Sequence, residues 1–258
     1  MSTTPPSRSA PATAPPRNAG MDLLRGLSIL LVVLHHVGLR IPLKKGVLAT
    51  FLPRRLLDGL IYNGYEAVFV FFVLSGFLIT VTTLARWGRL EAIDVRAFYR
   101  RRAARILPCL LVLVAVLSAM HLAGVENHVI ARAGQSLPRA IVAALALHLN
   151  WYEGKTGYLP GGWDVLWSLS IEELFYLGFP LLVPLLLRLR LLIPALLLLA
   201  LSLPMTRAAL EGNEIWQEKA YLPGMGGIAM GVLAALAATR VTPKKRWPIP
   251  LLCALGAL

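Results

Sequence analysis

Charged residues, and acidic ones above all, are scarce in this chain of 258 residues. Asp and Glu number 13 against 26 Lys and Arg, and the four types together make up 15% of the sequence. Soluble globular proteins average about 25% charged residues, whereas 57% of this chain is hydrophobic and its mean hydropathy is +0.67. The composition therefore excludes an ordinary soluble protein and indicates an integral membrane protein.

Cysteines and metal-ligand patterns are also scarce, which excludes further classes of protein. Cys109 and Cys253 both lie in apolar runs, so no disulfide framework is expected. His121, His128 and His148 lack the spacing of metal ligands, and no metal site is predicted. The hydrolase motif G-x-S-x-G is absent as well.

Apolar runs near twenty residues long are present instead of the ten-residue alternation of a membrane barrel. They predict an all-α integral membrane protein, a polytopic helical bundle of about seven or eight membrane segments. The net charge of +13 does not indicate a nucleic-acid partner, because Lys and Arg cluster at the ends of apolar segments, beside the anionic headgroups of the lipid bilayer. The predicted spans are residues 22–39, 60–85, 105–124, 139–151, 166–187, 191–206 and 221–239.

The two ends of the chain differ from these spans. Residues 1–20 are rich in Pro, Ser, Thr and Ala and are predicted to form a disordered cytoplasmic tail, while residues 21–258 form one membrane domain. An eighth segment begins near Trp247 and reaches Leu258 after about twelve residues, although a span needs about 20. Either the sequence is a fragment truncated at its C-terminus, or this segment lies at the membrane surface.

The segment 139–151 is also short, since it covers only about 21 Å of a bilayer core about 30 Å thick. With the N-terminus in the cytoplasm, more Lys and Arg lie on the cytoplasmic side if this segment dips into the membrane and returns than if it crosses. A re-entrant segment is therefore favoured.

The first predicted span contains Arg25, His35 and His36, although ionisable groups inside a bilayer are costly unless they pair or line a polar cavity. At about 100° per residue, His36 returns to within about 20° of the Arg25 face, about 16 Å further along the axis. His35 points about 80° away from that face. The spacing predicts a polar site inside the membrane, with a cation near one surface and an imidazole deep in the span.

A second candidate group is the arginine segment Phe98–Pro108, which opens the third predicted span. On a helix, Arg101 and Arg105 lie four residues apart on one face, an arrangement suited to a polyphosphate such as that of coenzyme A. The alternative is a purely topological role as a positively charged cytoplasmic segment.

A third candidate group opens the fifth predicted span. Ser168, Glu172 and Tyr176 recur every four residues and form one polar stripe along a helix, with Glu173 about 100° away. A carboxylate at this position can orient an imidazole, accept a hydroxyl proton or pair with an arginine of another span. A structural ion pair between helices remains the alternative.

Small residues in the second predicted span favour helix packing rather than catalysis. Ser75 and Gly76 let two helices approach closely. Ser75 has no base next to it in the sequence that would make it a nucleophile.

Taken together, four motifs resemble the acyltransferase 3 family, the membrane-bound O-acyltransferases that modify bacterial envelope glycans and some small molecules. The resemblance runs in order from Asp22 to about Pro184. The motifs are R-x10-H (Arg25, His36), F-F-V-L-S-G-F-L-I (Phe71 to Ile79), R-R-x-x-R (Arg101, Arg102, Arg105) and W-S-L-x-x-E-x-x-F-Y (Trp167 to Tyr176).

The resemblance implies transfer of an acyl group, most simply acetyl, from acyl-coenzyme A (acetyl-CoA) to a hydroxyl of a carbohydrate or another envelope or small-molecule acceptor. The protein is then expected in the bacterial inner membrane, with several passes and a cytoplasmic N-terminus. The residues expected at the site are His36, Arg25 and Glu172 for catalysis, Arg101, Arg102 and Arg105 for the donor, and Trp167, Ser168 and Tyr176 for substrate binding.

Each catalytic residue has an expected role. His36 acts as a general base on the acceptor, or accepts the acyl group transiently, since both roles use a neutral imidazole. Arg25 stabilises developing oxyanion charge or binds a donor phosphate, and the phosphate role is geometrically easier because Arg25 lies three helical turns from His36. Glu172 orients His36.

The sequence departs from the family pattern in two ways. A histidine often found two residues before the W-S-L motif is Val165 here, next to Asp164. The family's membrane domain has about ten spans, and no esterase-like extracytoplasmic domain follows the seven or eight predicted here, so a second transfer step would need a separate polypeptide. Two other functions stay open: a transporter or pore that uses intramembrane ionisable residues, and an inactive truncated homologue.

Overall fold

The computed structural model describes residues 19–41 and 48–240, and within this part every regular element is helical. The prediction of an all-α membrane protein is therefore confirmed for these residues. A short 3-10 turn, Leu90–Ala92, precedes the fifth helix. The helices are α1 (Ala19–Arg40), α2 (Leu48–Phe51), α3 (Arg54–Tyr62), α4 (Gly64–Trp87), α5 (Val95–Leu122), α6 (Leu137–Leu145), α7 (Leu149–Thr156), α8 (Gly161–Asp164), α9 (Trp167–Arg188), α10 (Leu192–Leu201), α11 (Leu203–Ala208), α12 (Glu214–Lys219) and α13 (Tyr221–Arg240).

Five segments of the described chain are long and apolar enough to cross a membrane, by length and composition. They correspond to the first, second, third, fifth and seventh predicted spans. Residues 1–18 of the predicted tail and the predicted eighth segment lie outside the described residues. The five segments are Ala19–Leu39, Gly64–Trp87, Val95–Leu122, Gly161–Arg188 and Glu214–Arg240.

The third span begins ten residues earlier than its apolar run. The Asp94 side chain caps α5 by accepting a hydrogen bond from the backbone N–H of Ala97 at 2.9 Å, which satisfies one of the unpaired donors of the first turn. The arginine segment Phe98–Pro108 is therefore helical throughout. This start places the guanidinium groups on a rigid element.

Residues 139–151 do not form one helix. The helix α6 ends at Leu145, Leu147 has the positive φ of 58°, and α7 begins at Leu149, so two helices of nine and eight residues replace the predicted span. Each is about 13 Å long, far less than the thickness of a bilayer core. A single spanning helix is excluded here, and the re-entrant path stays a prediction.

The buried side of α7 gives a physical reason for this break. Asn150 and Glu153 are fully buried on α7, and the Asn150 amide donates to the backbone carbonyl of Lys219 at 2.9 Å. Polar side chains of this kind are stable in the protein interior but not facing lipid.

The predicted span 191–206 is also divided, at Ser202, into α10 and α11.

The helices α4 and α13 pack in close contact, and two glycines allow this approach. A Cβ atom at Gly76 would overlap the carbonyl oxygen of Ile228, and one at Gly231 would overlap the carbonyl oxygen of Val73. Backbones that approach this closely gain packing contacts and are typical of small residues in membrane helices. The packing role predicted for Gly76 is confirmed.

Replacing Gly76 by Ala should destabilise the protein, because the added methyl group meets a backbone carbonyl that cannot rotate away. Overpacking of this kind costs about 1–3 kcal/mol. The thermal unfolding midpoint of the purified protein in detergent measures the effect. Gly26→Ala is the matched control, since a Cβ at Gly26 meets nothing within 4 Å. Equal midpoints for the two variants would contradict the close contact.

Candidate active site

Two cavities lie toward opposite ends of α1 and α4, and the first half of α9 contributes residues to both. On α4, Gly64, Tyr65 and Val68 line one cavity, whereas the other is lined from Phe71 to Trp87. On α1, Arg25 and His36 face different cavities, about 16 Å apart along the axis. The structure therefore separates the cationic position, Arg25, from the imidazole position, His36, as the sequence predicts.

The first cavity, called the arginine cavity here, has a volume of about 500 Å³. Its polar lining is dominated by five guanidinium groups from three helices, together with two carboxyl groups. Such a cavity attracts polyvalent anions, because arginine binds phosphate oxygens through two parallel hydrogen bonds. The charged residues are Arg25 of α1, Arg86 of α4, Arg101, Arg102 and Arg105 of α5, and Glu172 and Glu173 of α9.

Within the arginine cavity, Arg102 differs from its neighbours. Its guanidinium forms an ion pair with Glu173 and lies 3.8 Å above the Tyr176 ring, so it is held in place by α9. Its Nε is buried without a hydrogen-bond partner. Arg101 and Arg105 form no ion pair with another described residue, which leaves their charge available to a ligand.

Ser75 is a cavity residue that the sequence did not indicate. Its hydroxyl lies close to the side chains of Glu172 and Tyr176, and all three residues line the arginine cavity. Its neighbour Gly76 faces α13 instead. One turn of α4 therefore serves packing on one side and a polar site on the other.

The second cavity, called the histidine cavity here, has a volume of about 370 Å³. Two imidazoles from α1 and several carboxyl groups from other segments line it, with aromatic rings between them. The polar and aromatic lining residues are His35, His36, Tyr65, Tyr158, Asp164, Trp167, Glu214, Glu218 and Lys219.

Backbone carbonyls fix the orientation of both histidines. Nδ1 of His36 lies 2.8 Å from the carbonyl of Val32, and Nδ1 of His35 lies 2.6 Å from the carbonyl of Ile61. A carbonyl only accepts, so each Nδ1 carries the hydrogen and the neutral ring keeps its lone pair on Nε2. His35 was expected to point away, but its ring lies edge-to-face with that of His36, at 5.3 Å, and lines the same cavity.

A buried ion cluster forms one wall of the histidine cavity. Lys219 is 1% exposed, and its Nζ pairs with Glu153 at 2.9 Å and with Asp164. The second oxygen of Glu153 accepts a hydrogen bond from the backbone N–H of Leu159 at 3.0 Å. Burial raises the pKa of Glu153 to about 8, in spite of the adjacent ammonium. The sequence did not predict this cluster, because its members are 11 to 66 residues apart.

The structure groups the predicted site residues differently from the expectation. Arg25, Arg101, Arg102, Arg105, Glu172 and Tyr176 line the arginine cavity; His36 and Trp167 line the histidine cavity; Ser168 lines neither. The three residues predicted to bind substrate, Trp167, Ser168 and Tyr176, are therefore not brought together. Glu172 and His36 lie in different cavities, so the expected orienting contact is not formed. The Nδ1 partner of His36 is the carbonyl of Val32.

Two aromatic rings lie at the boundary between the cavities. Trp167 lines the histidine cavity and makes an edge-to-face contact with the buried ring of Phe72, with centroids 5.9 Å apart. Phe71, which precedes Phe72 on α4, lines the arginine cavity.

In residues 19–41 and 48–240, no group of three His, Cys, Asp or Glu side chains is placed to hold a metal ion.

Comparison with known proteins identifies the family. The sequence profile of the acyltransferase domain matches residues 18–258, nearly the whole chain. The chain belongs to the acyltransferase 3 family. The motifs of this acyltransferase domain thus occupy both cavities, with R-x10-H extending from one to the other.

Curated relatives of this acyltransferase domain include the O-acetyltransferase OatA of Staphylococcus aureus. It is 29% identical over 179 residues, which are 65% of this chain and 25% of OatA. A Staphylococcus aureus strain COL protein, whose O-acetyltransferase name is provisional, is 31% identical over 180 residues, 66% of this chain and 26% of its own length. The chain therefore spans about a quarter of the relatives it matches. No solved structure matches it significantly.

The raised pKa of Glu153 predicts a pH dependence of stability. Its carboxyl group binds a proton more tightly in the folded protein than the ordinary value of 4.5 allows, so its contribution is complete below about pH 4.5 and is lost as the pH rises to about 8. Thermal unfolding midpoints recorded across this range should fall, and Glu153→Gln should flatten the decline. Glu126→Gln, at an exposed loop position, is the control. A decline of unchanged slope in Glu153→Gln would contradict the assignment.

Proposed function

We propose that this protein is a membrane-bound O-acyltransferase, which moves an acyl group, most simply acetyl, from acyl-CoA to a hydroxyl of an acceptor. The observation that carries the proposal is the placement of an arginine-rich cavity and a histidine cavity toward opposite ends of α1 and α4, with the first half of α9 lining both. The family and the O-acetyltransferase relatives support the same reaction class.

In this proposal the arginine cavity binds the nucleotide end of acyl-CoA. Arg101 and Arg105 contact phosphate oxygens, and Arg25 contacts a phosphate from the opposite wall. Arg102 is held by Glu173 and Tyr176 and orients its neighbours. A cavity of about 500 Å³ lies within the range of small-molecule sites. The long pantetheine arm then extends toward Trp167 and the histidine cavity.

The chemical step takes place at His36. Because Nδ1 donates to Val32, Nε2 has the lone pair that removes the proton from the acceptor hydroxyl. The hydroxyl oxygen attacks the thioester carbonyl, a carbon–oxygen bond forms, and the carbon–sulfur bond breaks. The departing thiolate receives the proton from His36, so the products are an ester and free coenzyme A. A transient acyl group on the same nitrogen is the other route open to this residue.

Glu172 has a different role in the proposal from the one expected. It lies in the arginine cavity beside Ser75, within electrostatic range of Arg102 and Arg105. We assign it to the donor end, where it holds the guanidinium groups and Ser75 in their relative positions. A carboxylate among several arginines also reduces their mutual repulsion.

The reaction defines the expected location. Acyl-CoA is cytoplasmic, so the arginine cavity opens to the cytoplasm of a bacterial cell and α1 enters the inner membrane from that side. The acceptor, a carbohydrate or another hydroxyl compound, then occupies the histidine cavity at the opposite end. An extracytoplasmic transferase would carry out any later transfer to an envelope glycan.

Replacing His36 by Ala should abolish transfer, because general-base catalysis contributes about 10²–10⁴-fold to a rate. Radiolabelled acetyl transfer from acetyl-CoA into acceptor, measured in membranes with equal amounts of protein, is the readout. Val33→Ala on an exposed position of the same helix is the control. Equal labelling by wild type and His36→Ala would contradict the proposal, and retained solute flux without any labelling would favour a transporter.

Replacing Arg105 by Ala should raise the KM for acetyl-CoA by about tenfold and leave the KM for the acceptor unchanged, since a lost hydrogen bond to a charged group costs about 1.5–3 kcal/mol in the absence of solvent screening. The two Michaelis constants are measured separately on the purified protein. Arg100→Ala removes an exposed arginine outside the cavity and is the matched control. An unchanged donor KM would refute the phosphate contact.

A further inference from the structure

The two cavities carry opposite charge. The arginine cavity has five guanidinium groups against two carboxyl groups, whereas the ionisable lining of the histidine cavity includes three carboxyl groups and one ammonium besides its imidazoles. The carboxyl groups are those of Asp164, Glu214 and Glu218, and the ammonium is that of Lys219. A charged cavity with low-dielectric walls concentrates molecules of opposite sign and repels those of the same sign.

The ammonium of Lys219 does not offset this negative charge. It is buried, contacts Glu153 and is paired with Asp164, so the carboxylate of Asp164 balances its charge. Glu214 and Glu218 form no ion pair with another residue of the described chain, although Glu218 lies within electrostatic range of Lys219 and His35. Two carboxyl groups of the cavity are thus available to a ligand.

Arg207 is a further basic residue near the histidine cavity, and its guanidinium lies over an aromatic ring. Arg207 lies on α11, and its guanidinium is 4.7 Å from the ring centroid of Tyr65. Its positive charge offsets part of the negative potential of the histidine cavity, but Arg207 itself does not line the cavity.

The aromatic lining favours the same kind of ligand as the carboxyl groups. Nζ of Lys219 lies 4.4 Å from the ring centroid of Tyr158 and 5.8 Å from that of Trp167. Both rings line the cavity. The wall therefore already holds one ammonium between carboxylates and aromatic faces, an arrangement that stabilises cations.

We infer that the acceptor taken by the histidine cavity carries a free amino group beside its hydroxyl, as in an amino sugar, and that Glu214 and Glu218 select it over anionic acceptors. This inference rests on the proposed function, because it assigns the acceptor to this cavity. The volume of about 370 Å³ suits a unit of small-molecule size. An anionic acceptor would face unpaired carboxylates, which is the repulsive element that specificity commonly needs.

The test compares three glycosides that share one ring and differ in charge: methyl glucosaminide with a free amine, methyl glucoside and methyl glucuronide. Binding of each to the purified full chain, without donor, is measured by calorimetry at low salt. We expect the amine to bind about tenfold or more tightly than the carboxylate, with the neutral ring between them. Equal binding, or preference for the carboxylate, would overturn the inference whether or not transfer occurs.

Transfer is then measured with acetyl-CoA and the same glycosides. Hydroxylamine treatment releases acetyl esters and leaves amides intact, so O-acetylation is separated from N-acetylation. We expect kcat/KM for ester formation to follow the order of binding. Ordered binding with no ester formed from any glycoside would contradict the proposed function and leave the charge preference of the cavity established.

The variant Glu214→Gln/Glu218→Gln removes the two available carboxylates while keeping the size of the side chains. It should reduce the preference for amine over carboxylate several-fold, and raised salt should have the same effect on the wild type. Glu211→Gln is the matched control, since Glu211 is exposed three residues before Glu214 and does not line the cavity. A double variant with the wild-type preference would overturn the assignment to Glu214 and Glu218.

Discussion

The close contact between α4 and α13 is the constraint on which both cavities depend. Because Gly76 and Gly231 have no side chains, the two backbones touch, and α4 is fixed with one side against α13 and the other toward α1 and α9. The side chains of α4 then line both cavities. At its N-terminal end, α13 follows directly after Lys219, so the same contact brings the ion cluster to the wall of the histidine cavity.

Much of this arrangement follows from local sequence patterns. Continuous apolar runs predict the long helices because a bilayer demands them, and the helical repeat alone places Arg25 and His36 on one side and 16 Å apart. The break between α6 and α7 does not follow, since its cause is the burial of Asn150 and Glu153 against a segment some seventy residues later. An apolar run in the sequence does not indicate which distant segment will pack against it.

The sequence predicted individual residues of the site better than it predicted which of them lie in the same cavity. The spacing of Arg101 and Arg105 on a helix indicated anion binding, and both lie in one cavity with Arg25. The position of Glu172 relative to His36 depends on how α9 is shifted along α1, which no local pattern determines. His35 shows the same limit: a helix-face calculation sets its direction, but the segment packed against it decides what that direction meets.

The aromatic contact between Phe72 and Trp167 has an electrical consequence. In the proposed orientation the two polar cavities open to the two sides of the membrane, and most of the membrane potential would fall across the apolar region between them. Moving one elementary charge through it involves about 2.3 kcal/mol per 100 mV. In the proposed reaction the phosphates stay on their own side, and only the uncharged pantetheine arm with its acyl group extends past the apolar region. Turnover would then proceed at the same rate in energised and de-energised cells, without draining the ion gradients that the membrane maintains.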